Sequence, residues 1–392
     1  MKIITRTVWI LSLVSLFTDV ASEMLYPVMP VYLKEIGFSI LLIGVLEGVA
    51  EATAGLSKSY FGKLSDVSGK RLPFVRLGYL LSAISKPMMA VFIYPLWIFF
   101  SRTTDRIGKG LRTGARDAML SDEATPQTKG RVFGLHRAMD TLGAVIGPSV
   151  ALIYLYFYPG NYVMLFYIAF IPGILAIGFT FFVSERKRNR VNVELKSVSL
   201  FSFAQYWNDS PPAYKKLVIG LLAFTFINSS DVFLLLKVKD AGLDDTSVIG
   251  VYIFYNLIYA LAAYPIGRLS DKIGFKKTFI IGLFLFAFVY TGMAMANQLY
   301  LFFFLFFLYG LYAAATESIA KAWISNISDK KDTATAIGTY TGFQSVFTMM
   351  ASAIAGWIWF AFGAAATFLF SGLTTLLIIA YVMLIIPKPN TH

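Results

Sequence analysis

Twelve stretches of this chain are each long and apolar enough to be a helix that crosses a bilayer. A helix needs about 20 largely apolar residues to cover about 30 Å of hydrocarbon. The stretches fall near 7–32, 39–61, 72–94, 96–121, 131–157, 162–183, 215–237, 247–267, 274–296, 299–325, 334–360 and 364–386. The apolar runs are continuous rather than alternating, which excludes a transmembrane barrel. The 392 residues are 57% hydrophobic and only 14% charged, whereas soluble domains are about 45–50% apolar and about 25% charged. A set of soluble domains is therefore excluded, and so is disorder. Residues 1–32 do not read as a cleaved signal, because Asp19 and Glu23 interrupt the run and no small-residue cleavage site follows. The expected class is an all-α membrane protein with twelve transmembrane helices.

Charge placement gives the orientation. Twenty-two lysines and arginines lie at the even-numbered connections, the adjoining helix ends and the termini, against Lys34, Lys237 and Lys239 at the odd-numbered ones. The positive-inside rule then puts both termini in the cytoplasm, and a prokaryotic cytoplasmic membrane is the expected location. The polar connection Ser184 to Tyr214, with its run ERKRNR, divides the spans six and six. The expected organisation is a bundle over 1–183, a cytoplasmic linker over 184–214 and a second bundle over 215–392.

The chain also repeats itself. GKLSDVSGKR begins at Gly62 and GRLSDKIGFKK at Gly267, each following the second span of a six-span half, and Gly134 and Gly338 recur at nearly the same offset. An even number of spans per copy gives two parallel halves that can rock about a central site. The first copy, with Gly62, Asp66, Gly69, Lys70 and Arg71, resembles the loop motif after helix two of the major facilitator superfamily. The second, with Gly267, Asp271, Gly274 and Lys277, resembles its weaker counterpart. The likeness covers essentially the whole chain and implies two pseudo-symmetric six-helix bundles in which this motif holds one state closed. Val67 stands where the family often has an arginine. Locally, the glycines allow a tight turn, and Asp66 can face a helix N-terminus or a basic neighbour.

Charge inside a span is costly and usually functional. Of 18 ionisable residues within the spans, 15 lie in the first half. On the fourth span Arg102, Asp105, Arg106, Lys109, Arg112 and Arg116 form a stripe about 120° wide and about 21 Å long, which must face a cavity or neighbouring acids rather than lipid. Asp19 with Glu23, and Glu47 with Glu51, each one turn apart, are the expected partners. Together with Asp140 they are the candidate proton-coupling acids, since a buried carboxylate near another can carry a proton. Arg106 resembles the arginine of the family's helix-four RxxQG motif, with Lys109 at the glutamine position.

On the fifth span Gly134, Gly143, Gly147 and Pro148 are spaced as in the antiporter motif of proton-coupled drug exporters of the superfamily, with Ala151 where the motif closes on glycine. Physically this is a small-residue packing face plus a proline bend. The same span carries His136, Arg137 and Asp140. In the second half the candidate cavity residues are Asn228, Asp231, Tyr255, Asn256, Tyr259, Glu317, Trp323 and Gln344. Of these, Asn228, Asp231, Asn256, Glu317 and Gln344 form the expected substrate set together with Arg102, Asp105, Arg106, Lys109 and Arg112.

The chain has no cysteine and only two histidines, His136 and His392. No disulfide, thiolate metal site or histidine-held zinc or haem is expected, and no cofactor. There is no Gly-rich phosphate loop, so neither an enzyme nor a primary pump is expected. The expected partners are a small-molecule substrate, protons and the bilayer, without nucleic acid, and the chain is expected to be a monomer. The favoured reading is a proton-coupled secondary transporter for a small amphiphilic or anionic organic solute, in the export direction. Uptake of an organic anion, such as a carboxylate or an iron–chelator complex, is the alternative. A non-transporting receptor is the reading of another class.

Overall fold

The computed structural model describes residues 4–26, 28–38, 40–185, 202–243 and 245–386. Fifteen helices follow one another: α1 (Arg6–Leu25), α2 (Met29–Glu35), α3 (Ile40–Ser68), α4 (Leu72–Val91), α5 (Pro95–Glu123), α6 (Lys129–Phe157), α7 (Tyr162–Thr180), α8 (Ser202–Asp209), α9 (Pro212–Ile227), α10 (Val232–Asp240), α11 (Asp245–Ile273), α12 (Phe275–Met295), α13 (Leu299–Ile327), α14 (Thr333–Phe362) and α15 (Ala364–Ile385). The protein is an all-helical membrane protein of two related six-span sets. A broken helix opens each set, as α1 with α2 and as α9 with α10. A 29-residue helix follows in both sets, α3 and α11, and the next helices have 20 and 21 residues. α5 and α13 again have 29 residues each. The short α8 lies in the linker.

Among the described residues, nine helical stretches are apolar and long enough to cross a membrane on composition alone, with α9 and α10 taken together as Pro212–Asp240. The spans α3, α4 and α5 are not among them. Their lengths of 29, 20 and 29 residues suffice. Their charges lower the hydropathy, as in α4 with Arg76 and Lys86. Arg102, Asp105, Arg112 and Arg116 of α5 are nonetheless buried, so that helix turns its charge inward rather than to lipid. Prolines open several helices where no backbone donor is needed, as Pro95 does for α5 and Pro212 for α9. Pro27 lies outside the described residues; α1 ends at Leu25 and α2 begins at Met29.

The chain forms two compact units. One comprises Met1–Ala124, Met139–Asn208 and Ser328–Gly342; the other comprises Thr125–Ala138, Asp209–Ile327 and Phe343–His392. The first turns of α6 thus belong with the later helices, and the first turns of α14 with the earlier ones. The repeated glycines make this association close. In the first unit a Cβ on Gly62 would stand 2.6 Å from the Ala334 carbonyl oxygen. In the second, a Cβ on Gly267 would stand 2.3 Å from the carbonyl oxygen of Gly130. No side chain fits either position. Both copies of the repeat then end on a glycine of positive φ, Gly69 at 67° and Gly274 at 92°, a conformation that an L side chain resists.

Candidate functional site

In the first unit, α5 is held against its neighbours by glycine. Gly78 of α4 and Gly108 of α5 meet so closely that a Cβ on either would lie 2.6 Å from the other's carbonyl oxygen. That approach sinks the charged face of α5 between helices, where its members need partners. Lys86 Nζ of α4 donates to Asp105 Oδ1 at 2.9 Å, with both side chains buried. Arg112 donates to Ser82 Oγ, and its guanidinium lies 4.7 Å from the centre of the Tyr79 ring. Arg116 forks onto the carboxylate of the adjacent Asp117 at 2.9 and 3.0 Å and also donates to Ser15 Oγ at 3.1 Å. The stripe therefore does not share one environment along its length.

Helix α6 brings the remaining acid. A Cβ on Gly143 would stand 2.8 Å from Asp19 Cβ and from the Leu16 carbonyl oxygen, and one on Gly147 would stand 2.7 Å from Met24 N. Backbone is thus laid against backbone between α6 and α1. At this crossing Ser15 Oγ donates to Asp140 Oδ1, and the carboxyls of Asp19 and Asp140 lie side by side. A small polar cavity is lined by Asp19 and Glu23 of α1, Lys86 of α4, and Arg102, Asp105, Arg106, Lys109 and Arg112 of α5. Two acids and four basic side chains thus converge around the Lys86–Asp105 pair. Glu47 and Glu51 fall on α3, but their side chains lie outside the described residues.

The two loop-motif aspartates do matching work. Asp66 Oδ1 accepts from Arg71 Nη2 at 2.8 Å, while Oδ2 accepts from the backbone N and the hydroxyl of Thr335 at 2.8 and 2.9 Å, at the start of α14. Arg71 also donates to Asp122 at 2.6 Å. In the second unit Asp271 accepts from Gly130 N at 2.7 Å and from Arg131 N and Nε at 3.1 and 2.8 Å, at the start of α6. Each carboxylate satisfies the free N–H groups of a helix N-terminus and meets its positive dipole end.

The second-half candidates separate. Asp231 Oδ1 accepts from Tyr309 Oη at 2.7 Å, and the Tyr255 hydroxyl lies close to the same carboxylate. Asn228 Nδ2 donates to Tyr312 Oη at 2.9 Å. Glu317 pairs with Arg137, which also donates to Tyr259 Oη and lies 5.0 Å over that ring. Asn256 instead donates to the Tyr252 carbonyl oxygen of its own helix, and Gln344 makes no side-chain hydrogen bond among the described residues. Trp323 is buried against Phe279. Sequence reasoning missed Ser15, Thr335 and the tyrosines of α13. Their signal was present for Tyr309 and Tyr312, three residues apart on one helix face, but it was masked by the surrounding phenylalanines.

Comparison with known proteins agrees with this architecture. The family model described as Major Facilitator Superfamily matches residues 11–255 and 236–392. The uncharacterized MFS-type transporter MJ1317 of Methanocaldococcus jannaschii is 31% identical over 362 residues, covering 91% of this chain and 89% of that protein. The multidrug resistance protein MdtH of Cronobacter sakazakii is 23% identical over 337 residues, covering 83% of this chain and 80% of that one. The crystal structure of the human organic anion transporter MFSD10 (TETRAN) shares the fold, with a TM-score of 0.80 at 16% identity over 96% of this chain and 99% of that one. The relatives are transporters rather than enzymes, and this chain belongs to the major facilitator superfamily of membrane transporters.

Proposed function

We propose that this transporter is a proton-coupled secondary carrier that exports a small amphiphilic or anionic organic solute across the cytoplasmic membrane. It works by alternating access as a monomer, with residues 1–183 and 215–392 as its halves and both termini in the cytoplasm. The contact between Asp19 and Asp140 carries the reading. Two adjacent carboxylates repel, and a single proton held between them relieves that repulsion. Ser15 links Asp140 to Arg116, so a change of charge at the pair is felt along α5. In the adjoining cavity Arg102, Arg106 and Lys109 supply the positive field for an anionic group of the cargo. The networks at Asp66 and Asp271 hold helix ends together in one state of the cycle. The relative named a multidrug resistance protein favours export, and the fold neighbour named an organic anion transporter favours an anionic cargo.

The test uses proteoliposomes carrying an internal pH-sensitive dye and a solute found by comparing metabolites in cells with and without the protein. Asp19→Asn and Glu23→Gln should each impair solute-dependent proton flux, and Arg106→Ala should weaken solute binding. Normal proton-coupled transport by both acid variants would overturn the coupling assignment.

A further inference from the structure

The second unit holds a half-buried carboxylate whose surroundings differ from those of the ion-paired acids. Asp66 has Arg71, Asp105 has Lys86, Asp117 has Arg116 and Asp271 has Arg131. Asp231 makes no ion pair among the described residues: its Oδ1 accepts from the Tyr309 hydroxyl, the Tyr255 hydroxyl lies close by, and Arg137, itself paired with Glu317, acts on it only through space. It sits at the break of the seventh span, between the end of α9 at Ile227 and the start of α10 at Val232. Hydroxyl donors of this kind leave part of the capacity of a carboxylate unused, and a charge in an apolar medium is costly without a counter-charge.

The neighbouring side chains are aromatic. Tyr255 and Tyr309 have ring centres 5.1 Å apart, Tyr309 and Tyr312 5.0 Å, and Tyr290 and Tyr309 6.4 Å. Asn228, on the same break, donates to Tyr312 and leaves its Oδ1 buried with no hydrogen-bond partner. The site therefore offers one carboxylate, one spare carbonyl acceptor and electron-rich ring faces, with no basic side chain bonded to the carboxylate. Interrupted spans of this sort place such groups at membrane depth. Ring faces attract weakly hydrated organic cations, quaternary ammonium groups above all. A hydrated inorganic cation would want more oxygen ligands than one carboxylate and one amide.

We propose that the Asp231 site, with Tyr255, Tyr309, Tyr312 and Asn228, binds the ammonium group of an organic cation. This does not depend on the proton-coupling reading of the first unit. If both hold, the cargo carries an ammonium as well as an anionic group.

Calorimetric titration of the detergent-purified full chain with choline tests it, with 3,3-dimethylbutanol as the uncharged isostere and sodium chloride as competitor. Saturable choline binding is expected, about tenfold or more stronger than that of the isostere and insensitive to sodium beyond ionic strength. Asp231→Asn should lower the affinity about tenfold or more, and Tyr309→Phe by a smaller factor, whereas Gly178→Ala, in open space, should leave it unchanged. Should Asp231→Asn fail to fold, Asp231→Glu and Tyr255→Phe supply the same comparison, with the charge kept in one and a hydroxyl lost in the other. Absence of saturable binding, equal binding of the isostere, competition by sodium at the site, or unchanged affinity in Asp231→Asn or, in its place, in both tyrosine-to-phenylalanine variants would each overturn the proposal. Proton flux through Asp19→Asn reads the other assignment separately.

Discussion

Asp66 and Thr335, 269 positions apart, share one hydrogen-bonded cap: a single carboxylate oxygen accepts both the backbone N–H and the hydroxyl of the threonine at the start of α14. The other oxygen is held by Arg71. A buried carboxylate with this many donors is satisfied only while the two segments stay together, so the cap is a specific lock rather than general packing.

Asp66→Asn should loosen it. The amide keeps the size but loses the charge opposite Arg71 and turns a donor toward Thr335 N, at a cost of about 1–3 kcal/mol. Because the chain contains no cysteine, Ala336→Cys is a clean reporter at a fully buried position. Its maleimide labelling in membranes should rise several-fold in the Asp66→Asn background, and an unchanged rate would show that the lock does not hold this end closed.

The α1–α6 crossing depends on missing side chains. Gly143→Ala places a methyl 2.8 Å from Asp19 Cβ and from backbone that cannot swing away. Overpacking of this kind costs about 1–3 kcal/mol and pushes Asp19 from Asp140. Thermal denaturation in detergent should show a lower Tm, with Gly178→Ala, which meets nothing within 4 Å, as the neutral comparison. Equal Tm values for the two would count against close packing at this crossing.

Lys86 and Asp105 should behave as a pair. Asp105→Leu alone strands a buried ammonium, and breaking a buried pair costs about 3–5 kcal/mol. Lys86→Met combined with Asp105→Leu removes both charges and should regain most of that stability. The double-mutant cycle, read by thermal melts, fails the idea if the losses simply add.

Glu185 has a smaller task at the linker. Its carboxylate accepts from the backbone N–H groups of Arg71 and Leu72, capping α4 from 113 residues downstream. Glu185→Ala should cost about 0.5–2 kcal/mol and free the linker from the first bundle. Faster limited proteolysis in the linker would report it, and an unaltered cleavage rate would show that the cap does not tether this segment.

The span count, the doubling of the six-span unit and the inward-facing charge of α5 were legible from the chain because each depends on local composition. Hydropathy sets where helices lie, helical periodicity sets which residues share a face, and a positive-φ glycine marks each repeated turn. The capping role open to Asp66 was also readable, since a glycine–aspartate turn beside a span end offers few other chemistries. What the sequence left open was the partner. The fourth-span stripe could have paired with Glu47 and Glu51 as readily as with Asp19 and Glu23. Periodicity says which way a side chain faces, not what stands opposite it. Only the tertiary structure decided that Arg116 would take the adjacent Asp117 and that Lys86 would reach Asp105. It also brought Asp19 to Asp140 and left Asp231 among tyrosines. Those choices follow from how closely Gly78, Gly108, Gly143 and Gly147 let helices approach and at what rotation, a property of pairs of helices that no single stretch of sequence contains.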